Sequence, residues 1–567
     1  MKVATYIAKF LKIKKINTVF TLQGGTISRI LDSIHLEGGI KIVSMHHEQS
    51  AAMAADAYSR ITNKPGIALA TSGPGATNLL TGIGNCYFDS VPAIFITGQV
   101  NIAEQKGDSH TRQLGFQETD IVNMARPITK EAIAIKNTDA VISIFEKAFN
   151  LAISGRQGPV LVDIPMNIQN EEINDLAPDI KAINHSKNRQ NITEFFFRYL
   201  QDLENCKRPL ILVGRGIRAA GSVEEFILLL QNFKIPVVTS LLGLDVLPFV
   251  HPQRIGFIGT YGNRWANYAL DKCDLLLVLG SRMDVRQTGS DIASFQTGKK
   301  IYHVDVEPVE LNNRIKGCVT LESNLNEFFT HIKGINSLYI APSEWVARIE
   351  EIKLSRLDIN ELDNIIGINP NVFIHQLSQV SKLAKAYICD VGNHQMWCAQ
   401  SLELEKNQQF LTSAGMGAMG YALPAAIGAS FALGKRPVVC IAGDGGFQIN
   451  IQELQTIRRN RLPIKIVILN NYSLGMIRQF QDSYFESRYT SSVFDYDAPE
   501  FAKLSKAYGI ESFSISRIEE IEIGLSELWK DPAQPFLLEV SLDIFTNAFP
   551  KIMFGKKLTE MEPQLNS

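Results

Sequence analysis

The chain is poor in cysteine, nearly without net charge, and has no long apolar run. Seven cysteines are scattered through 567 residues, with no CxxC pair and no metal-ligand spacing. That excludes a disulfide scaffold and fits a reducing compartment. The formal net charge is −2, and only 20% of residues are charged. Such a balance gives no electrostatic case for nucleic acid or a membrane surface as partner. No stretch is long and apolar enough to span a bilayer. The first residues, MKVATYIAKFLKIKK, show no signal-peptide h-region, so a cytoplasmic location is expected. What the chain does have is apolar content, 45%, ample for a large core. Its length suits about three or four domains.

The most informative stretch is Val438–Asn471, VVCIAGDGGFQINIQELQTIRRNRLPIKIVILNN. Val438–Ala442 is a short β-branched run suited to a strand buried on both faces. Glycines break it at Gly443, Gly445 and Gly446. An amphipathic helix is expected from about Phe447 to Arg459, then a turn at Leu462-Pro463 and a second strand over Ile464–Leu469. This is a βαβ unit, so the two strands should be parallel. Asp444 and Asn470-Asn471 then stand at strand carboxyl ends, where open α/β sheets bind ligands. A carboxylate and a carboxamide are hard oxygen donors that can hold Mg²⁺ or Ca²⁺ and leave room for phosphate oxygens. The glycines let backbone N–H groups approach those oxygens. GDG alone is most simply a tight turn. With Asn471 one βαβ unit later, the stretch resembles the thiamine diphosphate fingerprint.

Upstream, the pattern alternates between strand and helix. Thr18–Leu22 leads to Gln23-Gly24-Gly25 and a helix over Ile27–Ser33. Ile42–His46 leads to His47-Glu48 and the alanine-rich helix Ala51–Tyr58. Gly66–Thr71 leads to the glycine loop Ser72–Asn78, and Val91–Gly98 and Pro159–Pro165 are further strands. The fold class is therefore α/β, with doubly wound parallel sheets. IALATSGPGATN and VVCIAGDGGFQIN are loosely alike, which hints at two related domains. Glu48 reads equally well as an acid in a first helical turn or as a buried carboxyl that exchanges a proton. Ala51, Ala52 and Met53 would wall such a carboxyl from water.

Three domains are expected, at 1–180, 191–335 and 365–567, with a polar stretch 184–191 and a helical connector 343–364 between them. The central one carries Gly214-Arg215-Gly216 after the strand Pro209–Val213, and Arg282, Arg286 and Asp305 near later strand ends. Acids at such ends hold ribose hydroxyls, and arginines hold phosphate. A structural α/β spacer explains the same residues nearly as well. In the last domain, Gly392-Asn393-His394 follows the strand Tyr387–Val391, and Ser413–Gly420 is a second glycine-rich loop. His394 is read as phosphate-facing. Met419 is by default a core filler.

Taken together, MHHEQSAAMAADAYSR, ATSGPGATN, DSVPAIFITGQ, GFQETDIV, GPVLVDIP, GNHQMW, GMGAMGYALPAAIGA, GDGGF and NNYSLGM resemble the acetolactate (acetohydroxyacid) synthase group of thiamine diphosphate enzymes. The resemblance covers almost the whole chain. It implies a pyrimidine-binding, a flavin-type and a diphosphate-binding domain, assembled as a homodimer or homotetramer with sites at the chain interface. It implies Asp444, Asn471 and the Ser473 carbonyl as Mg²⁺ ligands. Asn393, His394, Gly417, Met419, Gly443, Gly445, Gly475 and Met476 would contact thiamine diphosphate, with Glu48 opposite N1′ of its aminopyrimidine. Gly214, Gly216, Arg282, Arg286 and Asp305 would contact FAD. Gly25, Phe116, Gln117 and Phe480 would line the reaction pocket, with Gln117 beside Glu48 in catalysis. The implied reaction is decarboxylation of a 2-keto acid, pyruvate, and transfer of the acyl unit to a second carbonyl compound. A regulatory subunit is left open.

Several positions depart from the family pattern. Phe480 stands where its synthases carry Trp, and Met166 where they carry Lys. Arg282-Met283-Asp284-Val285-Arg286 replaces RFDDR, and Gly259-Thr260-Tyr261-Gly262 replaces GMHG. An extra segment, SHTRQL, occupies Ser109–Leu114. The cofactor motifs are intact, so an altered acceptor is expected. Alternatives are a carboligase acting on a keto-sugar nucleotide, a simple 2-keto acid decarboxylase, or a non-catalytic cofactor binder.

Overall fold

A computed structural model describes residues 1–173, 189–335, 337–362 and 365–564. The expected boundary at 180, most of the polar stretch 184–191, the connector end at 364 and the terminus at 567 lie outside the described residues. Three six-stranded sheets follow one another along the chain, and every strand pair within them is parallel. Helices cover both faces, so the inner strands are buried: Gly66–Ala70, Pro159–Pro165, Val438–Gly443 and Ile464–Asn470 expose no residue.

Strand order separates the sheets into two kinds. With strands numbered in chain order within each sheet, the first and third both run 2-1-3-4-6-5, whereas the central one runs 3-2-1-4-5-6. The weak likeness of the two glycine-loop motifs is thus matched by a shared topology. The central order is that of dinucleotide-binding sheets. In each sheet the chain reverses direction beside the first strand, and the loops flanking that point form a crevice.

The first and last domains share a core. The helix Glu48–Thr62 packs on Ala422–Ala432 through Ala51, Ala54, Ala55, Ala425, Ala426 and Ala429, all buried. Small residues set the spacing: a Cβ on Gly428 would lie 2.0 Å from the Ala54 carbonyl oxygen. Buried polar groups fix the register. Tyr421 donates to Asp56 at 2.6 Å, Arg60 donates to Asp56 at 2.7 Å and to Asp89 at 2.9 Å, and Ser50 donates to Asn450 at 3.0 Å.

The helix expected over Phe447–Arg459 is not continuous. It begins at Asp444, ends at Ile449, passes through a 3-10 turn at Ile451–Glu453 and resumes over Leu454–Asn460. Asn450 causes the break. Its side chain accepts from Ser50 and donates to the Gly420 carbonyl at 2.8 Å, with its backbone at φ −126°. Tertiary partners override the helical periodicity there.

Candidate active site

The reversal point of the third sheet lies between Ala386–Cys389 and Val438–Gly443. The loops that leave these strands carry Asn393-His394 and Asp444. Gly443 permits their approach, since a Cβ there would stand 2.9 Å from His394 Nδ1. Gly475 does the same nearby: a Cβ would stand 2.5 Å from Asn471 Nδ2 and 3.0 Å from Asn393 Nδ2. A Cβ on Gly445 would meet Leu474 at 2.6 Å, the Tyr496 hydroxyl at 3.1 Å and Met419 Cε at 3.4 Å. The structure therefore gathers Asn393, His394, Met419, Gly443, Asp444, Gly445, Asn471 and Gly475 in one crevice, with Ser473 on the same loop.

Within Asn470-Asn471 the two amides differ. Asn470 accepts from the Tyr472 amide and donates to Glu539, so its side chain is consumed locally. Asn471 follows the strand end, buried. Ser473 is also buried, and its carbonyl accepts from the Gly475 amide at 2.8 Å. A second carbonyl lone pair stays available for a ligand.

The crevice contains polar atoms with no partner. Asp444 Oδ2, Asn393 Oδ1, His394 Nε2, Thr546 Oγ1 and the Tyr496 hydroxyl are buried and, among the described residues, unbonded. Buried polar groups are seldom left so, and several together mark the place of a polar ligand. Burial raises the Asp444 carboxyl to about 6 and lowers the His394 imidazole to about 3. A cation would favour the Asp444 carboxylate. Neutral His394 retains one ring N–H for an anion's oxygen. Among the described residues no cluster of three or more His, Cys, Asp or Glu could hold a metal. One carboxylate with an amide and a carbonyl suits a hard cation whose shell is completed by diphosphate oxygens. The residues fit magnesium diphosphate.

The glycine-rich loop joins the crevice through Asp390, which accepts from the Gly420 amide and the Ala422 amide, both at 2.9 Å. Gly417 has φ +65° and is exposed. Met476 is set apart: Tyr261 of the central domain donates to its thioether at 3.1 Å.

Glu48 belongs to a second crevice, on the first sheet. It opens the helix Glu48–Thr62 and is 6% exposed. Oε2 accepts from Asn78 at 2.9 Å. Oε1 lies over the glycine loop, 3.1 Å from where a Cβ on Gly75 would stand. A Cβ on Gly73 in the same loop would be 3.0 Å from Gln117 Cβ, so Gln117, at φ +67°, is one layer from Glu48. Glu118 pins the loop that contains the extra segment, accepting from the Lys106 amide at 2.7 Å and the Leu114 amide at 2.8 Å. Gly24 rather than Gly25 makes the close approach to Thr71; nothing lies within 4 Å of a Cβ on Gly25. Phe116 is 86% exposed and Phe480 49%, the latter packed at a tilt against Tyr484 with ring centroids 4.8 Å apart. Among the described residues no hydrogen bond joins Glu48, Asn78 or Gln117 to the Asp444 crevice.

A third feature is a cavity of about 620 Å³ at the reversal point of the central sheet. Gly214, Gly216, Arg282, Arg286 and Asp305 all line it, and Arg156, which pairs with Glu310 at 2.7 Å, joins them from the first domain. Burial raises the Asp305 carboxyl. The far wall is Gln395, Met396 and Ser413–Gly417, so the cavity abuts the glycine-rich loop but stops short of Asp444 and Glu48. Its size, arginines and strand order suit a nucleotide.

Sequence reasoning missed Thr546, Tyr496 and Asp390 in the first crevice and Arg156 in the cavity. Asp390 carried a signal, an acid at a strand end. Thr546 and Tyr496 lie on irregular segments that only the fold brings in.

Known proteins resemble the chain along its whole length. The thiamine pyrophosphate enzyme N-terminal TPP binding domain matches residues 1–124, the central domain 198–332 and the C-terminal TPP binding domain 390–540. The acetolactate synthase isozyme 2 large subunit of Escherichia coli K12 is 35% identical, covering 100% of both chains. The acetolactate synthase large subunit of Lactococcus lactis is 34% identical over 97% of this chain and 94% of its own. That of Cyanidium caldarium is 36% identical over 96% and 94%. The three sheets, their reversal-point crevices and these matches place the chain in the acetolactate synthase large-subunit family of thiamine pyrophosphate enzymes.

Proposed function

We propose that the protein decarboxylates pyruvate and joins the acyl unit to a second carbonyl compound, using thiamine diphosphate and Mg²⁺. The observation that carries this reading is the set of orphaned buried atoms around Asp444, in a family whose members are named acetolactate synthases. When bound, thiamine diphosphate supplies the electron sink that lets carbon dioxide leave a 2-keto acid. Asp444, Asn471 and the Ser473 carbonyl would hold the metal. Asn393 and His394, with Thr546, would take diphosphate oxygens, while Met419 and the Gly417 carbonyl support the organic rings. Glu48 holds and exchanges a proton at Oε1, and Asn78 fixes the carboxyl through Oε2. Gln117 orients the substrate.

The separation of the Glu48 and Asp444 crevices supports a homo-oligomer in which each meets the other's counterpart across the chain interface. Phe116, Met416 and Phe480 are exposed, as apolar residues that a second protomer or substrate covers would be. The domain limits proposed are 1–180 for pyrimidine binding, 191–335 for the nucleotide and 365–567 for diphosphate binding. The relatives' names specify large subunits, so a smaller regulatory companion is a matching proposal. All seven cysteines are free, as a cytoplasmic protein would have them, and no described helix is long and apolar enough to cross a membrane.

The central cavity is read as an FAD site. Purified protein should therefore be yellow, with a flavin absorbance band that survives gel filtration. A colourless protein that stays colourless after incubation with FAD would refute this, and ADP would become the preferred occupant.

Acceptor choice follows from Phe480 and Met166. Phenyl in place of indole keeps an apolar wall but removes area and an N–H donor. A single methylene in such a pocket is worth about 1–3 kcal/mol, so a loosened wall should erase most preference for 2-ketobutyrate over pyruvate. Met166, half-buried at the start of the helix Met166–Asn170, brings no cation for an acceptor carboxylate. Both changes favour acceptors without a carboxylate, including a keto-sugar nucleotide. In a mixture of equal pyruvate, 2-ketobutyrate and a neutral ketone or aldehyde, the neutral acceptor should compete, with products resolved by mass. Strong dominance of 2-acetohydroxybutyrate would show instead a branched-chain amino-acid synthase of ordinary specificity.

A further inference from the structure

The turn Gly214-Arg215-Gly216 is clamped from both sides. A Cβ on Gly214 would lie 2.2 Å from the Gly280 carbonyl oxygen, and one on Gly216 2.6 Å from Gly280 Cα. The Gly214 amide donates to the Leu279 carbonyl and the Gly216 amide to the Gly280 carbonyl, both at 3.0 Å. Arg215 is therefore the one side chain the turn projects, and it lines the central cavity. Its Nε is buried without a hydrogen-bond partner among the described residues.

Neighbouring charges do not satisfy it. Arg156 and Arg282 line the same cavity, but Arg156 pairs with Glu310 at 2.7 Å and Arg282 faces Asp284 at 3.6 Å. The acids nearest Arg215 are Asp56 and Asp89. Both bind Arg60; Asp56 also accepts from Tyr421, Asn85 and Cys86, and Asp89 from the amides of Ala414 and Gly415. Burial and the adjacent Arg60 push the Arg215 guanidinium down to about 10. A buried cation with no contacting counter-ion is costly, and a bound anion offsets that cost.

We propose that Arg215 is the anion anchor of the central cavity and donates to the diphosphate of an adenine nucleotide or dinucleotide held there. This rests on the nucleotide reading of the cavity and names the side chain that grips its ligand. The guanidinium fork matches two phosphate oxygens at once, which lysine cannot do. The diphosphate is the part that FAD and ADP share, so both should respond alike.

The test titrates full-length wild type, Arg215→Ala and Arg215→Lys, freed of bound nucleotide, with FAD, ADP and adenosine by calorimetry. In the alanine variant FAD and ADP should weaken by a common factor of about 10- to 100-fold, with lysine intermediate and adenosine unaffected. The ligand-free alanine variant should unfold at or above the wild-type temperature, because an uncompensated buried charge has gone. Equal ADP affinity in wild type and Arg215→Ala overturns the proposal. So does a ligand-free variant of lowered Tm that loses adenosine and ADP equally, which would make Arg215 a support of the pocket wall. If wild type binds neither FAD nor ADP, the nucleotide reading itself falls, and this proposal with it.

Discussion

Replacing Glu48 by Gln should lower turnover by about 100-fold or more while thiamine diphosphate still binds. The amide keeps the size of the side chain and a bond to Asn78, whose Nδ2 now donates to Glu48 Oε2 at 2.9 Å. It cannot release or accept a proton at the position facing the glycine loop. Glu48 is 6% exposed, so bulk water is a poor substitute for the lost proton carrier. The direct readout is deuterium exchange at C2 of the bound cofactor. Exchange at the wild-type rate in Glu48→Gln would remove Glu48 from the proton relay, whatever its effect on turnover.

Asp444→Ala should abolish magnesium-dependent binding of thiamine diphosphate, weakening it by at least about 100-fold, since loss of even a supporting metal contact costs 10- to 100-fold. Asp444 supplies the one carboxylate of the proposed ligand set, and its Oδ2 has no hydrogen-bond partner among the described residues. The fold should tolerate the change, because burial without a cation already holds the carboxyl up to about 6 and removing it relieves that strain on the ligand-free protein. Calorimetric titration with thiamine diphosphate, with and without Mg²⁺, checks this. Wild-type affinity together with unchanged magnesium dependence would mean that the metal lies elsewhere.

The fold was legible where sequence and topology share one period. Short β-branched runs followed by glycine loops and amphipathic helices gave the parallel sheets, and Pro209–Val213 and Pro159–Pro165 are strands over the very spans expected. Helix limits were harder to read. Asn450 interrupts a good helical pattern because its amide is taken by Ser50 and Gly420, which are remote in sequence. Asp444 and Asn471 were legible because a single βαβ unit carries both. Thr546 and Tyr496 were not, since neither sits in a local pattern and each reaches the crevice through tertiary folding. Met476 shows the opposite limit. Its motif marks it for the cofactor, yet its sulfur faces Tyr261. Strand order itself was beyond the sequence. The shared 2-1-3-4-6-5 arrangement of the outer sheets depends on pairings such as Thr18–Thr21 with Gly66–Ala70 that no local pattern encodes.

Catalysis on pyruvate is the central claim, and mass analysis of the products of carbon-labelled pyruvate tests it most directly. Purified protein with thiamine diphosphate and Mg²⁺ should release labelled carbon dioxide and form a product in which the remaining two-carbon unit is joined to a second carbonyl compound. With pyruvate alone that product should be 2-acetolactate. Release of carbon dioxide with acetaldehyde as the sole organic product would make the protein a simple decarboxylase. Absence of carbon dioxide release from protein shown to have bound its cofactor would contradict the account outright.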